Sequence, residues 1–148
     1  MNTVKRLRSW RLLLLQKKQS FYNTVYAALF AALLGTYLDL YFVGRNMYEF
    51  PIRPFPDVFS INIAFTLLIL PCFTMLFLMA MRKMNRWNRS VFIIFLSLMV
   101  FTVENKMEQW GFFYHSNEWK HYYSFYGYFL FFVIIWSVYK GNGTNIIK

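Results

Sequence analysis

Apolar residues along the chain fall into four long blocks separated by short polar stretches. A helix crosses ~30 Å of hydrocarbon with about 20 predominantly apolar residues, so each block predicts one span. The first covers residues 21–43 and carries no charge before Asp39. The second, 58–81, is uncharged with Pro71 near its middle. The third, 91–110, is apolar to Val103 and then meets Glu104, Asn105, Lys106 and Glu108. The fourth, 122–139, is almost entirely aromatic and β-branched. The expected fold class is all-α, an integral membrane bundle of four transmembrane helices. A basic arm (1–20) precedes the membrane domain (21–140), and a tail (141–148) follows it.

Composition points the same way. Hydrophobic residues make up 58% of the 148 and aromatics 23%, against roughly 45–50% apolar in soluble domains. A soluble core of this size could not hide so much Phe, Tyr and Trp. One cysteine excludes a disulfide scaffold. The net charge of +10 is unevenly placed. Lys5, Arg6, Arg8, Arg11, Lys17, Lys18, Arg82, Lys83, Arg86, Arg89, Lys140 and Lys148 fall on one side of the predicted membrane. Only Arg45, Arg53, Lys106 and Lys120 fall on the other. Positive charge is kept on the cytoplasmic side, so both termini are expected there. The first apolar run exceeds the ~7–15 residues of a signal-peptide core, and no small-x-small site follows it. It is expected to stay as an anchor. The arm, with Trp10 and the apolar residues 12–15 among its basic residues, reads either as an interfacial helix or as a solvated arm that only sets orientation.

Charge inside a span is expensive, so the depth of each polar residue is informative. Asp39 sits four residues from the outer end of span one and Asn62 four from the outer start of span two, each about 6 Å in. Glu104 and Glu108 lie in the last turns of span three. The inner two-thirds offers only Thr36, Thr66, Thr74 and Ser97. Ala28, Ala32, Gly35 and Asp39 share one helical stripe, and small residues there let helices approach closely. This seam should aim Asp39 into the bundle, or join copies of the chain as a homo-oligomer. Lys106 lies about 160° round the helix from both glutamates, so its expected partner is Asp39 or the interface. The outer cluster can be a polar collar locking helix ends, a proton or cation site, or a surface recognising a headgroup or peptide.

Other chemistry is poorly represented. His115, Glu118 and His121 have loose metal-ligand spacing but fall in an aromatic outer loop, so no metal site is expected. Cys72 stands alone in an apolar span, and no Gly-rich phosphate loop or catalytic set is present. No cofactor, nucleic-acid partner or enzymatic activity is expected. Pro71 should kink span two. The tyrosines of span four and Trp136 match interfacial aromatic belts.

Several motifs also resemble a family of small four-span membrane proteins of uncharacterised function from spore-forming bacteria. They are Pro51-Ile52-Arg53-Pro54-Phe55-Pro56, Pro71, the Glu104–Glu108 pair, and the run from Trp119 through Lys120, His121, Tyr122, Tyr123 and Ser124 to Phe125. The resemblance covers residues 39–125 and implies a shared four-span architecture but no reaction. The prolines should extend the first outer loop, bringing Arg53 near Glu104 and Glu108. The expectation is a non-enzymatic protein of the bacterial cytoplasmic membrane. It would bind a protein or lipid partner through Asp39, Arg53, Asn62, Glu104, Lys106 and Glu108, with Trp119 and Tyr123 as aromatic contacts. The rival expectation is a small proton- or cation-coupled transporter or channel using the carboxylates.

Overall fold

A computed structural model describes residues 2–120 and 122–144, with side chains for 16–120 and 122–142. Four helices dominate it: α1 (Asn2–Gly44), α2 (Leu70–Arg82), α3 (Arg86–Gln109) and α4 (Tyr122–Thr144). Segments Gln16–Gly44, Phe65–Arg82, Arg86–Gln109 and Tyr122–Asn142 are each long and apolar enough to cross a membrane. The fold is all-helical, a bundle of four helices each long and apolar enough to span a membrane. α1 packs between α2 and α4, and α3 packs on the far side of α4.

The two ends of the bundle differ in kind. At the terminal end, residues 83–85 turn α2 into α3. Arg89 donates through Nε to the Met81 carbonyl (2.9 Å) and lies 4.8 Å over the Trp136 ring. A cation there complements the free carbonyls of α2. The apolar core occupies this half: Ala27 and Ala31, Phe77, Leu78 and Met81, Ile93 and Leu96, Phe132 and Ile135. α2 and α3 meet through the stacked rings of Phe77 and Phe92.

At the other end, two long loops cross-link. α1 and α3 stop in the same way, with one residue in the left-handed region: Asn46 (φ 56°) after α1 and Gly111 (φ 77°) after α3. Asn46 N–H bonds to Val43 O and Met47 N–H to Phe42 O. Gly111 N–H bonds to Glu108 O and Phe112 N–H to Met107 O. Both are the paired closure that satisfies last-turn carbonyls and reverses the chain. The reversed chains form β1 (Tyr48–Glu49) and β2 (Tyr114–His115), paired antiparallel with Tyr48 opposite His115. Ser116 N–H adds a bond to Met47 O at 2.8 Å.

The structure revises several expectations. The helix of span two starts at 63 rather than 58, and Asn62 precedes it. The Asn62 side chain accepts from Phe65 N–H at 3.2 Å. It therefore serves as a helix cap, the role its short polar side chain favours, and is not a member of the bundle's polar cluster. The first turns, Phe65–Ile69, are π-helical. Pro71 has no N–H to offer and its ring would clash with the carbonyl of Leu67; the wider turn relieves both problems. The proline loop is not extended. It bends from 51 to 61 around the Arg53 side chain, with Phe55 at φ 53°.

The Ala28, Ala32 and Gly35 seam is consumed inside one chain. Ala27, Ala28, Ala31 and Ala32 are buried, and a Cβ on Gly35 would run into the Leu70 side chain. A second copy would need another face. α4 continues through Gly141 to Thr144, because neither Gly141 nor Asn142 ends a helix whose preceding carbonyls still await donors. The disposition of Trp10 and residues 12–15 lies outside the described side chains. The α1 backbone nonetheless runs unbroken from the arm into the first span.

Candidate functional site: a carboxylate–histidine cluster under a polar cleft

Four parts of the chain build one polar cluster at the loop end: the last turns of α1 and α3, the first turns of α4, and the β1–β2 bridge. Asp39 projects from α1 along the small-residue stripe. Its Oδ1 accepts from the Tyr48 hydroxyl at 2.7 Å. Its Oδ2 is buried and accepts no hydrogen bond among the described residues. Glu104, from α3, accepts from Ser124 Oγ at 2.5 Å and from the Tyr128 hydroxyl, both on α4. Trp119 Nε1 donates to Ser124 Oγ at 3.0 Å, extending this chain of donors into the second loop.

His115 joins the two glutamates. Its Nε2 lies 3.0 Å from Glu104 and its Nδ1 3.2 Å from Glu108, with the imidazole almost fully buried. Glu108 also accepts from the His115 backbone N–H at 3.1 Å. Burial lowers the imidazole pKa, but hydrogen bonds and charge from Glu104 and Glu108 outweigh it, and the pKa stands above its ordinary 6.5. Tyr48 is displaced upward from 10, first by burial and then by the Asp39 charge. Its phenol therefore keeps its proton and remains a donor.

Aromatic rings wall the cluster. The Trp119 indole stacks on His115 at 5.4 Å and meets Phe42 and Tyr48 edge-on. Tyr123 packs edge-on against Trp119 at 5.9 Å. Above the cluster is a cleft of about 350 Å³, lined by Val43, Asn46, Tyr48, Glu49, Arg53, Ser60, Tyr114, His115 and Ser116.

No family model, no curated protein and no solved structure matches this chain. Its chemistry must be read from its own residues.

Of the residues singled out from the sequence, the structure brings together Asp39, Glu104, Glu108 and Trp119, with Tyr123 behind Trp119. Arg53 stands apart from the glutamates. It donates to three carbonyls of its own loop, Phe59 (2.7 Å), Phe50 (2.6 Å) and Pro56 (3.4 Å). Burying part of a guanidinium requires such acceptors, and the loop supplies them. Lys106 faces away from Asp39 and donates to Gln109 Oε1 at 3.2 Å, on an exposed stretch of its own helix. His121 lies outside the described residues. Among those described, no three His, Cys, Asp or Glu side chains are placed to hold a metal ion.

Tyr48, His115, Ser124 and Tyr128 are the members that sequence reasoning missed. In the sequence, His115 stands with Glu118 and His121 in a loose metal-ligand spacing and otherwise reads as a loop histidine among aromatics. The signal that could have located it is the pair of turn residues, Asn46 and Gly111, each closing a helix shortly before an aromatic-rich stretch.

Proposed function

We propose that the chain is a non-enzymatic, multi-pass component of a bacterial cytoplasmic membrane that binds a protein or lipid partner at its loop end. In this reading both termini are cytoplasmic and the loop end faces outward, as the distribution of Lys and Arg favours. The observation that carries it is the cleft of about 350 Å³ over a cluster whose acids are already engaged. Asp39 has Tyr48, Glu104 has Ser124, Tyr128 and His115, and Glu108 has His115. Such a set behaves as a fixed floor, which lets the loops above hold one shape.

The rival reading, a proton- or cation-coupled transporter, draws support from the unpaired Oδ2 of Asp39 and the buried Thr36 Oγ1, one turn apart on α1. Against it, two hydroxyls buried in the bundle are spent on their own helices. Ser97 donates to Ile93 O and Thr24 to Ser20 O, each at 2.8 Å, the usual back-bonding of helical Ser and Thr. Neither hydroxyl is thus free to pass a proton from the cluster towards the terminal end.

The test has two arms. A photo-crosslinking side chain placed at Ser60 should give one discrete adduct, to a protein or a lipid, in native membranes. The same probe on exposed Leu33, within the first span, should not reproduce it. In proteoliposomes, proton and cation flux should not exceed that of empty vesicles. Flux that both Asp39→Asn and Glu104→Gln abolish would replace the docking reading with the transporter.

A further inference from the structure

The cleft at the loop end carries two opposite charges that do not neutralise each other. Glu49 and Arg53 both line it. Glu49 is exposed, and its carboxylate has no partner among the described residues. Arg53 is half-buried and held by three loop carbonyls, one through each nitrogen. A guanidinium has five N–H donors, so two remain. Anchored in this way it cannot swing over to Glu49, and no ion pair joins the two. The rest of the lining is polar, with Val43 as the apolar exception: Asn46, Ser60, Ser116, the phenols Tyr48 and Tyr114, and His115, whose ring nitrogens are already taken up by Glu104 and Glu108.

A ligand complementary to such a cleft is compact, polar and zwitterionic. It places an ammonium against Glu49 and an oxyanion against the free donors of Arg53. Charge-assisted hydrogen bonds of both kinds are the strong ones.

The surroundings say where that ligand comes from. The loop that wraps Arg53 exposes Ile52, Phe55, Val58 and Phe59, with Phe55 and Val58 at 68% and 72%. Phe55 is held at φ 53°, a strained conformation for a bulky residue. Its neighbours fix it there: the N–H groups of Val58 and Phe59 both bond to the Phe55 carbonyl. The loop thus spends conformational energy to present apolar side chains beside the polar cleft, at the end of four apolar helices. That is the chemistry of a membrane interface, where apolar groups dip into the acyl boundary beside the headgroups.

We propose that the cleft binds the headgroup of a zwitterionic phospholipid bearing a primary ammonium, with Glu49 on the ammonium and Arg53 on the phosphate. The inference rests on the docking reading above and narrows its partner to one class of lipid.

The experiment is a calorimetric titration of the full chain, in detergent micelles, with short-chain phosphatidylethanolamine, phosphatidylcholine and phosphatidylglycerol, and with free O-phosphoethanolamine. Phosphatidylethanolamine should bind saturably at one site. Phosphatidylcholine, whose quaternary nitrogen has no N–H for Glu49, and phosphatidylglycerol, which has no cation, should each bind about tenfold more weakly. Free O-phosphoethanolamine should bind more weakly than the lipid. Glu49→Gln, at an exposed residue that supports nothing else, should remove the preference for the ethanolamine headgroup. Ser60→Trp should block the cleft. Equal binding of the three lipids, or an unchanged preference in Glu49→Gln, overturns the proposal. Free O-phosphoethanolamine binding as tightly as the lipid overturns the lipid source. If the headgroup preference is absent while the Ser60 crosslink in native membranes is to a protein, the lipid proposal falls and the docking reading stands. If both the preference and any discrete crosslink are absent, both fall.

Discussion

With a carboxylate against each ring nitrogen, His115 can satisfy both only as an imidazolium. Its pKa is raised on folding, so the stability it contributes is complete below its unfolded value near 6.5 and is lost as the pH rises through the higher folded value. The melting temperature of the detergent-solubilised protein should therefore fall on moving from mildly acidic to alkaline pH. His115→Gln should flatten that slope, which a melting series across pH would show directly. Tyr48 offers a second residue-level test. Tyr48→Phe leaves a buried oxygen of Asp39 without its donor, a loss of about 1–3 kcal/mol. Replacing both partners by apolar groups is far less costly, so adding Asp39→Leu to Tyr48→Phe should recover most of the stability. A double mutant no more stable than Tyr48→Phe alone would show that Asp39 is held by something other than this bond.

Close approach of elements hangs on glycine at two positions, for different reasons. At Gly35 the obstacle is the far end of the Leu70 side chain, which can move. Gly35→Ala should thus change stability by no more than about 1 kcal/mol, since the better helix propensity of alanine offsets the adjustment. Gly35→Ile should cost about 1–3 kcal/mol by overpacking, and Leu70→Ala should relieve it in denaturation measurements. At Gly111 the constraint is the left-handed backbone itself, at φ 77°. Gly111→Ala should cost about 1 kcal/mol or more, with no rescue by a neighbouring truncation. At this scale the helices were legible in the sequence because apolar blocks of span length have few alternative uses. Asp39, Glu104 and Glu108 were legible because charge is costly at that depth. The start of span two's helix was not, because Val58, Phe59 and Ile61 continue its apolar block and only Asn62 marks the cap. The partners of Arg53 and His115 were not legible either. One bends its own loop by bonding carbonyls, and the other meets its glutamates through a two-residue bridge between distant loops. Neither leaves a periodicity to read.

The whole molecule is polarised: an apolar core at the terminal end, and a hydrogen-bonded cluster with a polar cleft at the loop end. The proposed orientation rests on charge counting alone and has a direct readout. In a Cys72→Ala background, Ser116→Cys should react with a membrane-impermeant maleimide from outside intact cells. Asn85→Cys, in the turn between α2 and α3, should react only after permeabilisation. The reverse pattern would turn the molecule over and put the cleft in the cytoplasm.

The pairing of Asp39 with Tyr48 also bears on how the chain is made. The two residues are nine apart, on the same side of the first helical hairpin. As the chain emerges from the ribosome, Asp39 acquires its donor as soon as α1 and the following turn exist, well before α3 is synthesised. Glu104 is in the opposite position, because Ser124 and Tyr128 lie 20 and 24 residues downstream on α4. The first half can thus insert with one oxygen of its acid already paired, whereas the Glu104 carboxylate of α3 gains His115 from the loop that follows and its hydroxyl donors only from the final helix. Arrest of translation between α3 and α4 should then leave a nascent chain that the membrane quality-control machinery recognises. Arrest after α2 should leave one that waits quietly in the bilayer.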